Sequence, residues 1–357
     1  MAYITISKDK LNHNFRFLDT LFKKRGISWG VVTKMLCGNK DYLQLIVDLG
    51  MKELHDSRIS NLKRIKKISE DVQTVYIKPP AKRSIKSVVR YADVSFNTEY
   101  QTIKLLSEEA GRQKKLHQII IMVELGDLRE GVMGDHVVDF YEQVFKLPNI
   151  KVVGLGANLN CLHGVMPSQD KLVQLSLYKQ LIEAKFNREI PWVSGGTSVV
   201  IPLLLKKQRP QGVNHFRVGE ALFFGLNLFT LKKIKGMKDD VFRLYAEIIE
   251  LTKKPVVPIG ELAENPSGET YEVEEDVDYS ERSYRAIIDI GLLDISPEYL
   301  IPDDKSLEIT GASSDMLVID LGKTRRNYRV GDLISFKLRY MGALGIMNSH
   351  YIDKKIV

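Results

Sequence analysis

Lys34 is the residue best placed for covalent chemistry. It ends Trp29-Gly30-Val31-Val32-Thr33, a run of small and β-branched residues that reads as a buried strand, and Gly38 and the helix-start residue Asn39 follow it. Burying an ammonium at the end of an apolar strand is costly, and the usual escapes are a lowered pKa or a covalent bond. Such a lysine attacks carbonyls and forms Schiff bases. The ordinary alternative, a lysine just past its strand with its head in water, stays open on this stretch alone. Other polar residues odd for a core end later strand patterns: Arg58, Arg129, Asn158, the Ser194-Gly195-Gly196-Thr197-Ser198 run, and Arg217 with Gly219. That serine-glycine run and Arg217-Val218-Gly219-Glu220-Ala221 each offer close backbone approach and hydrogen-bond donors just before a helix, which is equipment for a phosphate. A nucleophilic lysine with a phosphate cradle points to pyridoxal 5′-phosphate.

These residues need a scaffold that brings successive strand ends together. Residues 7–24 read as a helix, with Leu11, Phe15 and Leu18 at helical spacing. Eight short strand patterns follow, ending near Lys34, Asp56, Ile77, Phe96, Glu124, Gly156, Val193 and Arg217. Each leads into a helical pattern, including 39–49 closed by Gly50 and a helix capped by Asp135. The repeat of about 30 residues over about 230 is the rhythm of a (β/α)8 barrel, whose active sites lie at the carboxyl ends of the strands. An open doubly wound sheet would want a glycine fingerprint in its first βα turn, and residues 34–39 lack one. After residue 238 helical periodicity fades. Strands are expected over 242–251, 284–290, 307–310, 316–321, 333–340 and 347–352, with an exposed polar loop over 265–275. The expected organisation is α/β: a cofactor-binding (β/α)8 barrel of TIM type over 1–238 and a β-rich domain over 239–357.

Length and composition agree. A chain of 357 residues exceeds what one core usually serves. No stretch approaches the about 20 apolar residues of a membrane span, and residues 1–7 read as a short alternating strand rather than a signal peptide. Two cysteines, Cys37 and Cys161, make no disulfide framework and suit a reducing, cytoplasmic setting. The net charge of +7 comes from scattered lysines. The pairs Lys206-Lys207 and Lys232-Lys233 lack interleaved aromatics and read as solvated helix faces, so no nucleic-acid partner is expected. No metal-ligand spacing stands out.

The chain resembles the fold-type III pyridoxal-phosphate enzymes, the alanine racemase-like group, and within it the alanine/ornithine racemase branch. The resemblance covers nearly the whole chain. It rests on Val32-Thr33-Lys34-Met35, Asp56-Ser57-Arg58, the 91–97 segment, Gly154-Leu155-Gly156-Ala157-Asn158-Leu159-Asn160-Cys161, Val193 to Ser198, and Arg217 to Ala221 in order.

The resemblance implies an amino-acid racemase for alanine, ornithine or a similar small or basic amino acid, with Lys34 as Schiff-base residue and proton carrier. Arg217 would face the pyridine nitrogen. Ser198, Gly219 and Glu220, with Thr197, would hold the phosphate. Asn158 falls where alanine racemases carry a histidine against the ring, and Arg129 matches the arginine beside the phenolate oxygen and substrate carboxylate. The resemblance also implies a homodimer with composite sites, in which Ser314 and Asp315 reach across, and Tyr351 corresponds to a phosphate-binding tyrosine. One departure stands out. After Gly291 the alanine racemases place a second catalytic tyrosine, and here the residue is Leu292, which cannot carry a proton. Cys161 or a tyrosine of the neighbouring subunit could serve instead, although a cysteine there would ordinarily be a small buried hydrophobe. Leu292 keeps a decarboxylase open as the second reading. A non-catalytic pyridoxal-phosphate-binding protein would ordinarily lack the second domain.

Overall fold

The computed structural model describes residues 2–206, 211–264, 268, 270–272, 278–322, 324 and 326–357. The chain divides into two compact units, 7–241 and a second made of 1–6 with 242–357.

The first unit is a parallel barrel wrapped by helices. Its strands are β2 (Ser28–Val32), β3 (Glu53–Asp56), β4 (Gln73–Tyr76), β5 (Val94–Asn97), β6 (His117–Met122), β7 (Ile150–Gly156), β8 (Trp192–Ser194), the two-residue β9 (Gly196–Thr197) and β10 (His215–Val218). They pair in the order β8-β7-β6-β5-β4-β3-β2-β10-β9. Because β9 follows β8 after one residue, the ring is nearly closed. Helices α1 (Lys8–Lys23), α2 (Lys40–Asp48), α3 (Ile59–Ile68), α4 (Ile85–Tyr91), α5 (Tyr100–Arg112), α6 (Val137–Val144), α7 (Gln169–Phe186), α8 (Ile201–Leu205) and α9 (Glu220–Phe224) fill the connections. The eight expected strands are all present, and alternation along them decides what faces where. On β10, Phe216 packs on Phe22 of α1 (ring centroids 5.1 Å apart), whereas His215 and Arg217 are buried on the other side. Val75, Val94, Phe96, Ile120, Met122 and Val153 form one buried cluster with Trp192 beside it. The Trp192 ring stacks on His215 at 4.5 Å, and the Arg217 guanidinium lies 5.3 Å from the Phe96 ring. Asn39 caps α2 by accepting from the Tyr42 N–H. Asp135 does not cap a helix: it sits in a 3-10 turn (Gly134–His136), and α6 starts at Val137 with no side-chain cap.

The second unit is a mixed sheet. β1 (Tyr3–Ile6) runs antiparallel to the long β11 (Phe242–Pro255) and parallel to β17 (Asp353–Ile356). The remaining order is β13-β16-β11-β12-β15-β14, with β12 Arg282–Ile288, β13 Leu300–Pro302, β14 Glu308–Ala312, β15 Leu317–Asp320 and β16 Leu333–Leu338. The strand expected over 347–352 is not there. Residues Tyr340–Asn348 form α10, with Gly342, Ala343, Ile346 and Met347 buried on one face. A short apolar run without polar alternation fits a strand or a buried helix equally, and packing decides. The loop expected over 265–275 lies largely outside the described residues, as does Lys207. Lys232 and Lys233 are exposed but lie in a loop, not on a helix. Among the described residues no helix is long and apolar enough to cross a membrane.

Candidate active site at the carboxyl ends of the barrel strands

Lys34 does not end a strand. β2 stops at Val32, and Lys34 opens a 3-10 turn (Lys34–Leu36) with its side chain exposed. Thr33 anchors that turn. Its N–H donates to His55 O at 2.8 Å, and its hydroxyl is 3.1 Å from the same carbonyl and 2.9 Å from Asp56 Oδ2. Asp56 also accepts from the Arg58 N–H and from Asn61 Nδ2, so Arg58 serves as the backbone start of α3. Burial pushes the Asp56 carboxyl up despite these donors. Arg64 donates to Gly38 O at 2.7 Å. Gly38 sits at φ +73, and a Cβ there would meet Asn61 Oδ1 at 2.4 Å. The turn carrying Lys34 is thus held to the end of β3 on one side and to α3 on the other.

Arg217, at the end of β10, is 4% exposed. Nη1 donates to Ser194 O and to Ser194 Oγ, and Nη2 donates to Ala157 O and Asn158 Oδ1, both at 2.8 Å. Nε takes part in none of these four bonds. Burial lowers this guanidinium to about 10, with the negative charge of Glu130 and Glu53 opposing the shift. Asn158 then donates from Nδ2 to Glu130 Oε1, and Glu130 pairs with Arg129 through Nε and Nη2. Ends of β6, β7, β8 and β10 are therefore stitched together by Arg217, Asn158 and Glu130. Thr197 is the β9 residue paired with Arg217, and Ser198, buried, accepts from the Ala221 N–H at 3.1 Å. That bond ties the two glycine-containing turns together at the first turn of α9, where backbone N–H groups have no intrahelical acceptor.

Glu220 stands in the field of Lys34, but burial dominates and lifts its carboxyl from 4.5 to about 7. The folded chain thus keeps a proton that the unfolded chain releases at lower pH. The stability this group allows is complete below pH 4.5 and is lost as pH rises through about 7. In the cofactor-free chain, Glu220→Gln is expected to exceed the parent by about 1–3 kcal/mol at pH 8 and to match it near pH 4, read from urea midpoints.

Arg129 is exposed, as is Cys161. Cys161 is therefore not the small buried hydrophobe expected there. Its N–H, with those of Leu162, His163 and Val165, donates to the buried Asp127, whose carboxyl is held low by these four donors against the effect of burial. Asp127 and Glu130 were missed by sequence reasoning. The signal was their place beside Arg129 in a strand-end run.

Ser314, Asp315 and Tyr351 lie in the second unit. Ser314 donates to Asp315 Oδ1 at 2.8 Å. Leu292 N–H donates to Ser313 O and Leu293 N–H to Ser314 O. Ser349 joins Asp294 to the Tyr351 N–H. Leu292, Ser314, Asp315 and Tyr351 thus belong to one hydrogen-bonded surface region, with Leu292 41% and Tyr351 81% exposed.

The chain matches the family model described as alanine racemase, N-terminal domain, over residues 6–227. It is 38% identical to the ornithine racemase of Acetoanaerobium sticklandii over 355 residues, 99% of each chain. It is 30% identical to the lysine racemase of Thermotoga maritima over 353 residues, 98% of this chain and 97% of that one. Its fold matches that of an alanine racemase from Bartonella henselae with covalently bound pyridoxal phosphate, at a TM-score of 0.75 and 15% identity, covering 100% of this chain and 99% of the other. A barrel with Lys34 after its first strand, Arg217 on its last, and full-length relatives at these identities lead to one conclusion: the chain belongs to the alanine racemase family.

Proposed function

We propose that the chain is a pyridoxal-phosphate-dependent amino-acid racemase, an isomerase that interconverts the L and D forms of a basic amino acid such as ornithine. The observation that carries this is the convergence at one barrel end of Lys34, the Ser198–Ala221 bond and an Arg217 fixed by four hydrogen bonds. The names of the ornithine and lysine racemase relatives support a basic substrate over alanine.

The donor set fits the cofactor. Lys34 would hold it covalently. Arg217 has Nη1 and Nη2 committed to the strand ends, and Nε is assigned to the ring nitrogen. Thr197, Ser198 and the backbone N–H groups of Gly219 and Glu220 are assigned to the phosphate, and Asn158 to the ring and its oxygen. Arg129 keeps Nη1 outside its pairing with Glu130 and is assigned to the substrate carboxylate.

Pyridoxal phosphate, when bound, supplies a carbonyl for amine exchange and a conjugated ring that takes up the electron pair left when Cα loses its proton. Lys34 Nζ moves that proton at one face of Cα. Arg217 remains protonated at neutral pH, so it would donate to the ring nitrogen rather than give it a proton. The arginine would thereby keep electron withdrawal by the bound group modest, which would favour return of the proton to Cα over slower bond changes. Leu292 carries no proton, so the other face is served by a different group. Two free cysteines support a reducing, cytoplasmic setting.

The assembly proposed is a homodimer with shared sites, supported by the exposed region holding Ser314, Asp315 and Tyr351. Lys34→Ala and Asp315→Ala are each expected to be inactive alone, and their mixture to regain activity through the one intact site of each heterodimer. Confirmed subunit exchange without recovery would reject the shared site. The reaction itself is tested by a panel of L- and D-amino acids followed by chiral chromatography. Ornithine and lysine are expected to convert fastest, and CO2 release without inversion would favour a decarboxylase.

A further inference from the structure

Behind Arg217, inside the barrel, lies a buried chain of polar side chains that the mechanism does not use. Ser194 Oγ is 2.6 Å from Arg217 Nη1 and 2.6 Å from His215 Nδ1. His215 Nε2 is 2.7 Å from Glu53 Oε1, and the same oxygen is 2.5 Å from His55 Nε2. Glu53, His55, Ser194 and His215 are all buried. Two histidines and one carboxylate also make a donor set for a metal ion. An ion bound at about 2.0–2.2 Å would hold its donors more than about 3 Å apart, so here the contacts are those of N–H···O bonds.

Proton accounting fixes their direction. An ionised carboxylate only accepts. Among the described residues His55 Nδ1 is buried without a partner, so a proton there would be a stranded donor, and Nε2 is the protonated nitrogen. Burial lowers His55, which keeps it neutral, and the two histidines hold Glu53 well below the ordinary carboxylate range although burial pulls the other way. With His215 likewise donating from Nε2, its Nδ1 accepts from the Ser194 hydroxyl, and Ser194 Oγ accepts from Arg217. Every proton then has an acceptor. The one negative charge of this chain, on Glu53, lies three hydrogen bonds from the guanidinium. Glu130, the other nearby anion, is already paired with Arg129. Gly30 makes the arrangement possible, because a Cβ there would lie 2.3 Å from His55 Nε2 and 2.7 Å from Glu53 Oε1.

We propose that Glu53, His215 and Ser194 are positioning residues for Arg217: they supply its buried countercharge and fix its guanidinium plane through a one-way hydrogen-bond chain. Its effect on turnover rests on the reading that Arg217 faces the cofactor's ring nitrogen. The geometry of the chain does not.

The test begins on the cofactor-free protein labelled with 15N in histidine and arginine. His55 and His215 are expected to carry a proton on Nε2, and Arg217 to give a resolved guanidinium signal with restricted rotation. Ser194→Ala should broaden or shift the Arg217 signal, and Ser194→Thr, which keeps the hydroxyl, should restore it. Glu53→Gln keeps the shape and removes the charge, and should shift it as well. In the holoenzyme, Ser194→Ala is expected to lower kcat by about 10- to 100-fold with KM unchanged, as for a misplaced catalytic group, with rescue by threonine. An Nδ1–H tautomer at His55 or His215, an Arg217 signal indifferent to Ser194→Ala, or one metal ion per chain lost on Glu53→Gln would each overturn the proposal. NMR effects as expected, with kcat and the cofactor's absorption unchanged in both Ser194→Ala and Arg217→Lys, would instead defeat the placement of Arg217 at the ring.

Discussion

Lys34→Ala is expected to lower racemisation by about 10³-fold or more, because it removes both the covalent hold on the cofactor and a proton carrier at Cα. The fold should barely respond. Lys34 is exposed, and the turn it opens is held by Thr33 through bonds to His55 and Asp56 and by Arg64 on Gly38. A surface truncation of this kind changes stability by about 0.5 kcal/mol or less. The discriminating measurement pairs a chiral assay with a thermal melt. Lost activity at an unchanged midpoint supports the account. A visible cofactor band that survives the substitution and is still bleached by borohydride would put the covalent link on another lysine.

Arg217→Ala should strike fold and function together. The substitution deletes four hydrogen bonds at a buried position and leaves Ala157 O and Asn158 Oδ1 facing a cavity, while Ser194 O keeps only the Ala157 N–H. Each buried acceptor left alone costs about 1–3 kcal/mol, and removing one member of a buried charged network costs about 3–5 kcal/mol. We expect a loss in that second range in urea unfolding, together with weakened cofactor binding. Arg217→Lys keeps a charge but not the planar fork, so it should retain more stability than alanine while still failing to bridge β7 and β8. A lysine variant as stable as the parent would contradict the bridging role.

The barrel was legible because its strand patterns recur and end in polar residues, and strand ends are where a barrel gathers its chemistry. Arg217, Asn158 and Ser198 were found this way, and the structure joins their strand ends by hydrogen bonds. What was not legible depends on closure. Glu53 and His55 share one strand and His215 lies on another far along the chain, and only the curvature of the sheet carries Glu53 to within 2.7 Å of His215, 162 residues away. Lys34 looked like a strand end because Thr33 continues the β-branched run, yet Thr33 spends its hydrogen bonds on His55 and Asp56 and the chain turns. Tyr340–Asn348 became a helix because its apolar face is buried, which no local period announces. The strand read over residues 1–7 is present as Tyr3–Ile6, but its pairing with residues 242–245 and 353–356 is a long-range fact.

The most direct test of the central claim is Cα exchange. L-ornithine is incubated in D2O with the cofactor-loaded protein, and the enantiomers are separated and weighed by mass spectrometry. The account predicts D-ornithine carrying one deuterium at Cα, formed by the parent chain and not by Lys34→Ala. Inversion by both proteins, or no deuterium and no D-enantiomer from any basic or small amino acid, would contradict it.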